Sequence, residues 1–292
     1  MTRARLRAAM LAASAGLLLV PAFAAAGTQF DPSTEFSLDR YLDLKFGPID
    51  LSINKAVIYL LLTTAILCIG SVIIVRRGLK SRPGRGQNIV ELAYEFAENQ
   101  IGRVSLPASA FPTWFPYIAT LFLFIAINNL ISFVPLPISG QSGGLGISSL
   151  PDFGLYAATA NINVTLALTI VTFLCTHIVG VRAHGAWGYL KTLEPDAPRA
   201  IKPVIFALEL LSQLLRLVSL SVRLFANMLA GHLLIIMAAG FAVLVGSYVG
   251  LVAIPFALFF YVLEWVLVAG LQGFIFALLS GIYIGYAIEA PH

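Results

Sequence analysis

Charge is what this sequence has least of: Asp, Glu, Lys and Arg together make up 11% of 292 residues, against about 25% in an ordinary soluble domain. With 59% hydrophobic residues, a water-soluble globular enzyme is excluded. Cysteine is almost absent, and Cys68 and Cys175 lie in apolar runs without CxxC spacing, which argues against a metal centre or a disulfide framework. No GxxxxGK[ST] loop occurs, so no nucleotide site is expected. The 24 Gly and 15 Pro follow no period, which sets aside collagen-like and solenoid architectures. What remains is a set of long apolar runs, predicting an all-α integral membrane protein with about five membrane-embedded helices.

The formal charge of +4 could mean nucleic acid, an anionic membrane surface or topology signals, and position along the chain decides for topology, with no nucleic-acid partner. Residues 1–26 read as a signal peptide: Arg3, Arg5 and Arg7 precede an apolar stretch from Ala8 to Val20, and small residues follow at Ala22, Ala24 and Ala26. A retained amphipathic anchor or an Arg-rich transit peptide is the alternative. Residues 27–50 form a polar segment in which Asp31, Glu35, Asp39, Asp43 and Asp50 outnumber Arg40 and Lys45. Leu51 to Val75 supplies the first span and ends at Arg76, Arg77, Lys80, Arg82 and Arg85, a cluster that the positive-inside rule assigns to the cytoplasm.

Residues 87–102 have a different pattern. Ile89, Leu92, Ala93, Phe96 and Ile101 recur at three- and four-residue spacing opposite Glu91, Glu95 and Glu98, predicting an amphipathic helix on the cytoplasmic surface. Pro107 and Pro112 break that pattern. A second span follows at Thr113–Val134, then a loop without Lys or Arg, and a third span from about Ala157 to Val181. The three spans thus occupy 51–181. Arg182, Lys191, Arg199 and Lys202 mark the 182–203 loop as cytoplasmic. Residues 204–288 read as a long helical hairpin turning near Gly246–Gly250. Its first arm has no Pro from Val204 to Gly246 and would run about 64 Å as one helix, so it either breaks or lies strongly tilted. The mature N-terminus is expected outside and the C-terminus in the cytoplasm.

Within the hairpin the only acids and bases are Glu209, Arg216, Arg223, His232 and Glu264. Glu209 and Arg216 are seven residues apart on one face, where long side chains reach the interface, so Arg216 has a structural explanation. Arg223 has none: no carboxylate lies three or four residues away, and a guanidinium cannot shed its proton. It must face water, an acid of another subunit, or Glu264; an intramembrane arginine reads as functional. Nine positions separate it from His232, so the two occupy opposite helix faces. His232 can relay protons or bond a carbonyl as a neutral ring. Glu264, eight residues before Gln272, can accept a proton or bond a neighbouring helix.

The run from Ser219 to His232, SLSVRLFANMLAGH, resembles the signature of subunit a of the F-type ATP synthase. Gly47–Asp50, Asn128-Asn129-Leu130, Asn161–Thr165 and Leu271–Phe276 are similar to further family patterns, and the resemblance covers residues 37 to 289. It implies a stator that forms two half-channels against the c ring in a bacterial inner membrane, with the b subunits of the peripheral stalk and membrane lipid as further partners. It implies no cofactor and no enzyme activity in this chain alone. Arg223 falls on the family's essential arginine, Asn227 and Gln272 on polar positions near it, and His232 and Glu264 on the proton relay. Glu209 matches a further acid, Ser219 opens the motif among the translocation residues, and Arg216 and Asn163 are read as structural or interfacial. The family usually places the last helix's acid seven residues before the glutamine; here Trp265 holds that place, so Glu264 requires a local bulge or a different channel lining. The competing class is a secondary transporter or cation/proton exchanger. Such proteins commonly carry inverted repeats, whereas this chain has one charged hairpin without a counterpart.

Overall fold

The computed structural model describes residues 40–42, 45–46, 49–50, 52–76, 84–134, 136–139, 152–154, 156–192, 201–244 and 247–289. The predicted signal peptide, most of the acidic segment and the cations Arg77, Lys80, Arg82 and Arg199 lie outside them. Helices dominate: α1 (Lys55–Arg76), α2 (Arg85–Phe96), α3 (Phe111–Ile131), α4 (Ile162–Thr192), α5 (Lys202–Leu244), α6 (Ser247–Leu263) and α7 (Ala269–Ile288). Two π-helical turns interrupt the series, at Ala97–Gly102 and at Glu264–Val268. Three short antiparallel ladders pair Arg40–Leu42 with Ile53–Asn54, Lys45–Phe46 with Ile49–Asp50, and Leu136–Ser139 with Asp152–Gly154.

Among the described residues five stretches are long and apolar enough to cross a bilayer: Lys55–Ile74, Phe111–Ile131, Ile162–Lys191, Lys202–Ala238 and Pro255–Ile288. Polarity runs opposite to that of a soluble protein. Leu61, Ile69, Val72, Leu174 and Leu208 are exposed, while Thr63, Asn128, Asn129, Thr159, Thr165 and Ser280 are buried. Lipid solvates the first group; of the second, Thr63 bonds Asn128 and Thr159 bonds Asn129 between elements, while Thr165 and Ser280 bond carbonyls of their own helix. This is an all-α integral membrane protein.

Several boundaries follow from local chemistry. Asn54 Oδ1 accepts the Val57 amide and caps α1, as a side-chain oxygen does for an orphan N–H in a first turn. α3 begins at Phe111, ahead of the predicted Thr113, because Pro112 suits a first helical turn, where its missing N–H costs nothing. α4 continues past Val181 to Thr192 but breaks at Gly185, whose φ of 73° and ψ of 161° only glycine adopts without strain. The segment after the break folds back: Tyr189 packs its ring over Gly180 and places its hydroxyl 2.8 Å from His177 Nδ1. α5 is one uninterrupted helix of 43 residues, about 64 Å long, so of the two expected outcomes the chain does not break. α2 buries none of its residues, and Phe96 ties its end to Phe122 of α3 and Phe274 of α7.

The centre of the bundle is α7 against α3. Ala269, Gly273, Ala277, Gly281 and Gly285 recur every four residues and are all buried. This small-residue stripe lets backbones approach, and backbone proximity replaces the hydrophobic drive that lipid does not supply. A Cβ on Gly273 would lie 3.0 Å from the Ala126 backbone nitrogen.

Candidate functional site

The long α5 helix carries candidate site residues on two faces. On one, Leu208, Leu211, Leu215, Val218 and Val222 are uncovered, and Arg223 stands exposed beside them. Among the described residues Arg223 has no ion-pair or hydrogen-bond partner. Ser219 is exposed on the same helix and Asn227 is half-buried. Among the described residues the structure does not join Arg223 to Glu264 or to Gln272.

His232 belongs to the other face. Nine residues on from Arg223, it is only 2% exposed, with its ring 4.8 Å from Phe133. Its Nδ1 lies 3.1 Å from the Met228 carbonyl; a carbonyl only accepts, so Nδ1 carries the proton. Nε2 is then a bare acceptor, and it is buried without a partner. The carbonyl bond raised from sequence is present.

Glu264 opens the second π turn. A π turn inserts one residue into an α-helix and offsets the accumulated rotation. Glu264 and Gln272, eight residues apart, consequently both lie buried, at 8% and 6% exposure. Of the two outcomes that the spacing left open, a local bulge is present. The Glu264 carboxyl rests on Gly231: a Cβ at that glycine would meet Oε2 at 2.0 Å and Cδ at 2.3 Å. Glu264 Oε2, like His232 Nε2, is a buried acceptor without a donor. The residue next to His232 is therefore also the floor beneath Glu264, a role that sequence reasoning missed although Gly231 sat inside the motif. Its size beside two ionisable groups was the available signal.

A polar seam borders this region. Asn129 accepts the Thr159 hydroxyl at 2.7 Å and donates to the Ala269 carbonyl, just past the π turn, at 3.4 Å. Tyr261 donates to the Phe133 carbonyl at 2.6 Å. Toward the other end of α5, Glu209 accepts from Gln213 at 3.1 Å and lies 4.0 Å from Arg216. Arg216 sits over the Tyr283 ring, 5.6 Å from its centroid, and lines a cavity of about 20 Å³ with Thr169, Thr172, Thr176 and Gln213. The exposed Asn163 has its amide capped by Asn161 Oδ1 at 2.9 Å, so the structural work at the head of α4 falls to Asn161. Among the described residues no group of His, Cys, Asp and Glu is arranged to hold a metal ion.

The family described as ATP synthase A chain matches residues 57–285. ATP synthase subunit a of Rubrobacter xylanophilus is 34% identical over 252 residues, covering 85% of this chain and 89% of that protein. That of Hyphomonas neptunium is 34% identical over 267 residues, 89% and 96%. That of Bradyrhizobium diazoefficiens is 32% identical over 272 residues, 90% and 100%. With the family model matching residues 57–285 and relatives 32–34% identical over most of their own length, the chain belongs to the ATP synthase A chain family.

Proposed function

We propose that this chain is the proton-conducting stator subunit of an F-type ATP synthase, non-catalytic by itself, whose α5 and α6–α7 hairpin forms two half-channels against the c ring. The observation that carries the reading is the exposed, unpartnered Arg223 in an apolar helix face. Facing lipid, such a group costs about 2.5–3.5 kcal/mol on insertion scales; facing a rotor carboxylate, it has a partner.

The chemistry follows from the two faces of α5. A proton taken from outside passes the acceptors His232 Nε2 and Glu264 Oε2 and protonates a ring carboxylate, which as a neutral group tolerates lipid. After nearly a full turn that carboxylate meets the second half-channel and ionises beside Arg223; an adjacent cation lowers a carboxylate pKa by about 1–3 units. The fixed charge also blocks a direct leak. Each elementary charge crossing 100 mV supplies about 2.3 kcal/mol, which the ring turns into torque. Glu209, Gln213 and Arg216 support the cytoplasmic side, Ser219 and Asn227 stand one turn either side of Arg223 on α5, and Gln272 lies on α7. The chain sits in a bacterial inner membrane, its mature N-terminus outside and its C-terminus cytoplasmic, with the b subunits as stator partners and α2 on the cytoplasmic surface.

The test is Arg223→Ala in the assembled synthase. ATP synthesis driven by a proton gradient is expected to vanish while the complex still assembles; coupled synthesis at the wild-type rate overturns the reading.

A further inference from the structure

α4 is too long for one upright crossing. Its 31 residues would rise about 46 Å as a straight helix, against about 30 Å of hydrocarbon, and the part from Ile162 to His184 alone rises about 34 Å. Gly185 therefore falls at the level of the headgroups, and there the chain turns, with a φ of 73° and a ψ of 161°. Beyond it, residues 186–192 do not run on into water. Tyr189 is 8% exposed, its ring lies over Gly180, and its hydroxyl stands 2.8 Å from His177 Nδ1, which holds the segment against the last turns of the span it has just left.

One face of this segment is fastened and the opposite face is bare. Trp187 and Lys191, each two positions from Tyr189, stand on the far side of the helix from it, with Leu190 between them. Trp187 is 83% exposed and Leu190 48%, and Lys191 is exposed too. Water would leave the indole and the leucine wet, and an apolar protein surface would leave the ammonium unmatched. The headgroup layer satisfies all three: an indole sits between hydrocarbon and water with its N–H on the wet side, and a lysine stem lies along acyl chains while its ammonium reaches phosphates. Residues 182–192 contain Arg182 and Lys191 and no acid, a charge complementary to phospholipid phosphates. The turn is also tied to the far end of the chain. His184 Nε2 lies 3.1 Å from the Ile288 carbonyl at the end of α7; a carbonyl only accepts, so Nε2 carries the proton.

We infer that residues 186–192 form an interfacial hook, with Trp187, Leu190 and Lys191 seated among the phospholipid headgroups of the leaflet in which α7 ends, and that the His184–Ile288 bond passes this anchorage to α7 and fixes its depth in the bilayer. That leaflet is the cytoplasmic one under the proposed function; the lipid contact itself does not depend on that reading. The consequence is that lipid sets the height of the helix that carries Gln272, which no contact within the hairpin does.

The experiment uses the assembled synthase in liposomes of phosphatidylcholine and phosphatidylglycerol, with Cys68 and Cys175 replaced by Ser. A bimane on Leu190→Cys is quenched in turn by lipids carrying a nitroxide near the headgroup or near the acyl chain end, and the two yields give its depth. The label is expected within about 10 Å of the headgroup boundary, as for an interfacial helix, and a bimane on Ile66→Cys, exposed near the middle of α1, is expected deeper. A depth at the bilayer centre overturns the hook. So does the absence of lipid quenching, whether aqueous iodide reaches the label instead or a partner subunit covers it. In a second arm the bimane sits on Tyr286→Cys, an exposed position near the end of α7. Trp187→Ser combined with Lys191→Glu is expected to shift it by up to about 5 Å, one helical turn, while Trp187→Tyr, which keeps an amphipathic ring, leaves it in place; an unmoved label in the Trp187→Ser, Lys191→Glu variant overturns the control of α7. If that variant fails to accumulate, Trp187→Ser alone decides. Neither arm reads pumping, so coupled synthesis by Arg223→Ala would remove the proposed function while both depths still decide the hook.

Discussion

Replacing Gly231 with alanine is the most direct probe of the relay. The new Cβ would lie 2.0 Å from Glu264 Oε2, where ordinary contact begins at 3.4 Å, so the carboxyl must retreat by about 1.4 Å, and misplacing a reacting group by an ångström can cost about 10²-fold in rate. The obstruction is the mobile end of a flexible side chain, so the stability cost should fall near the low end of the ~1–3 kcal/mol typical of overpacking, and the complex should assemble. Proton pumping in inverted vesicles, followed by a quenched acridine dye, should drop about a hundredfold at unchanged subunit content. Shortening the partner by one methylene makes room again, so Gly231→Ala combined with Glu264→Asp should pump better than Gly231→Ala alone. That non-additivity is the mark of two groups in contact. Wild-type pumping by Gly231→Ala, or a double variant no better than additive, refutes the contact as a determinant of proton access.

Glu264→Gln removes the ionisable oxygen and keeps the shape, so pumping should fall at least tenfold with normal assembly; undiminished pumping would assign proton access to another group. Gly185→Ala forces a side chain into a backbone region that only glycine populates, at a cost of about 1–3 kcal/mol. A lower thermal inactivation temperature of the detergent-extracted complex checks it. Gly273→Val drives a branched side chain against the Ala126 backbone, which cannot swing aside. About 1–3 kcal/mol of overpacking should appear as reduced subunit content in membranes, and normal content would mean that α3 and α7 can separate there.

The spans were legible because bilayer thickness fixes how long an apolar run must be, and the 43-residue Pro-free stretch announced α5 before any coordinates did. The opposed faces of Arg223 and His232 followed from helix rotation alone. The extent of α4 was not legible: hydropathy ends near Val181, yet helical backbone continues, and only the dihedral angles at Gly185 reveal the fold-back that brings Tyr189 to His177. Spacing asked for a bulge at Glu264 or a different channel lining and could not choose between them, because a π turn is a property of hydrogen-bond register and has no composition of its own. Asn128 stood out as a polar residue in a span, while its pairing with Thr63 required knowing which helices are neighbours.

The Glu264–Val268 turn also sets a rule for exchanging parts between relatives. A last helix with its acid seven residues before the glutamine and one with eight can present both groups to the same side only if the longer one keeps its extra residue inside this turn. A chimera spliced after Val268 inherits the turn whole and keeps Glu264 and Gln272 in phase. Deleting one residue among Val266, Leu267 and Val268 should let the segment rewind as plain α-helix with the phase preserved. The same deletion one turn later, beyond Gln272, would swing the small-residue stripe from Gly273 to Gly285 about 100° away from α3.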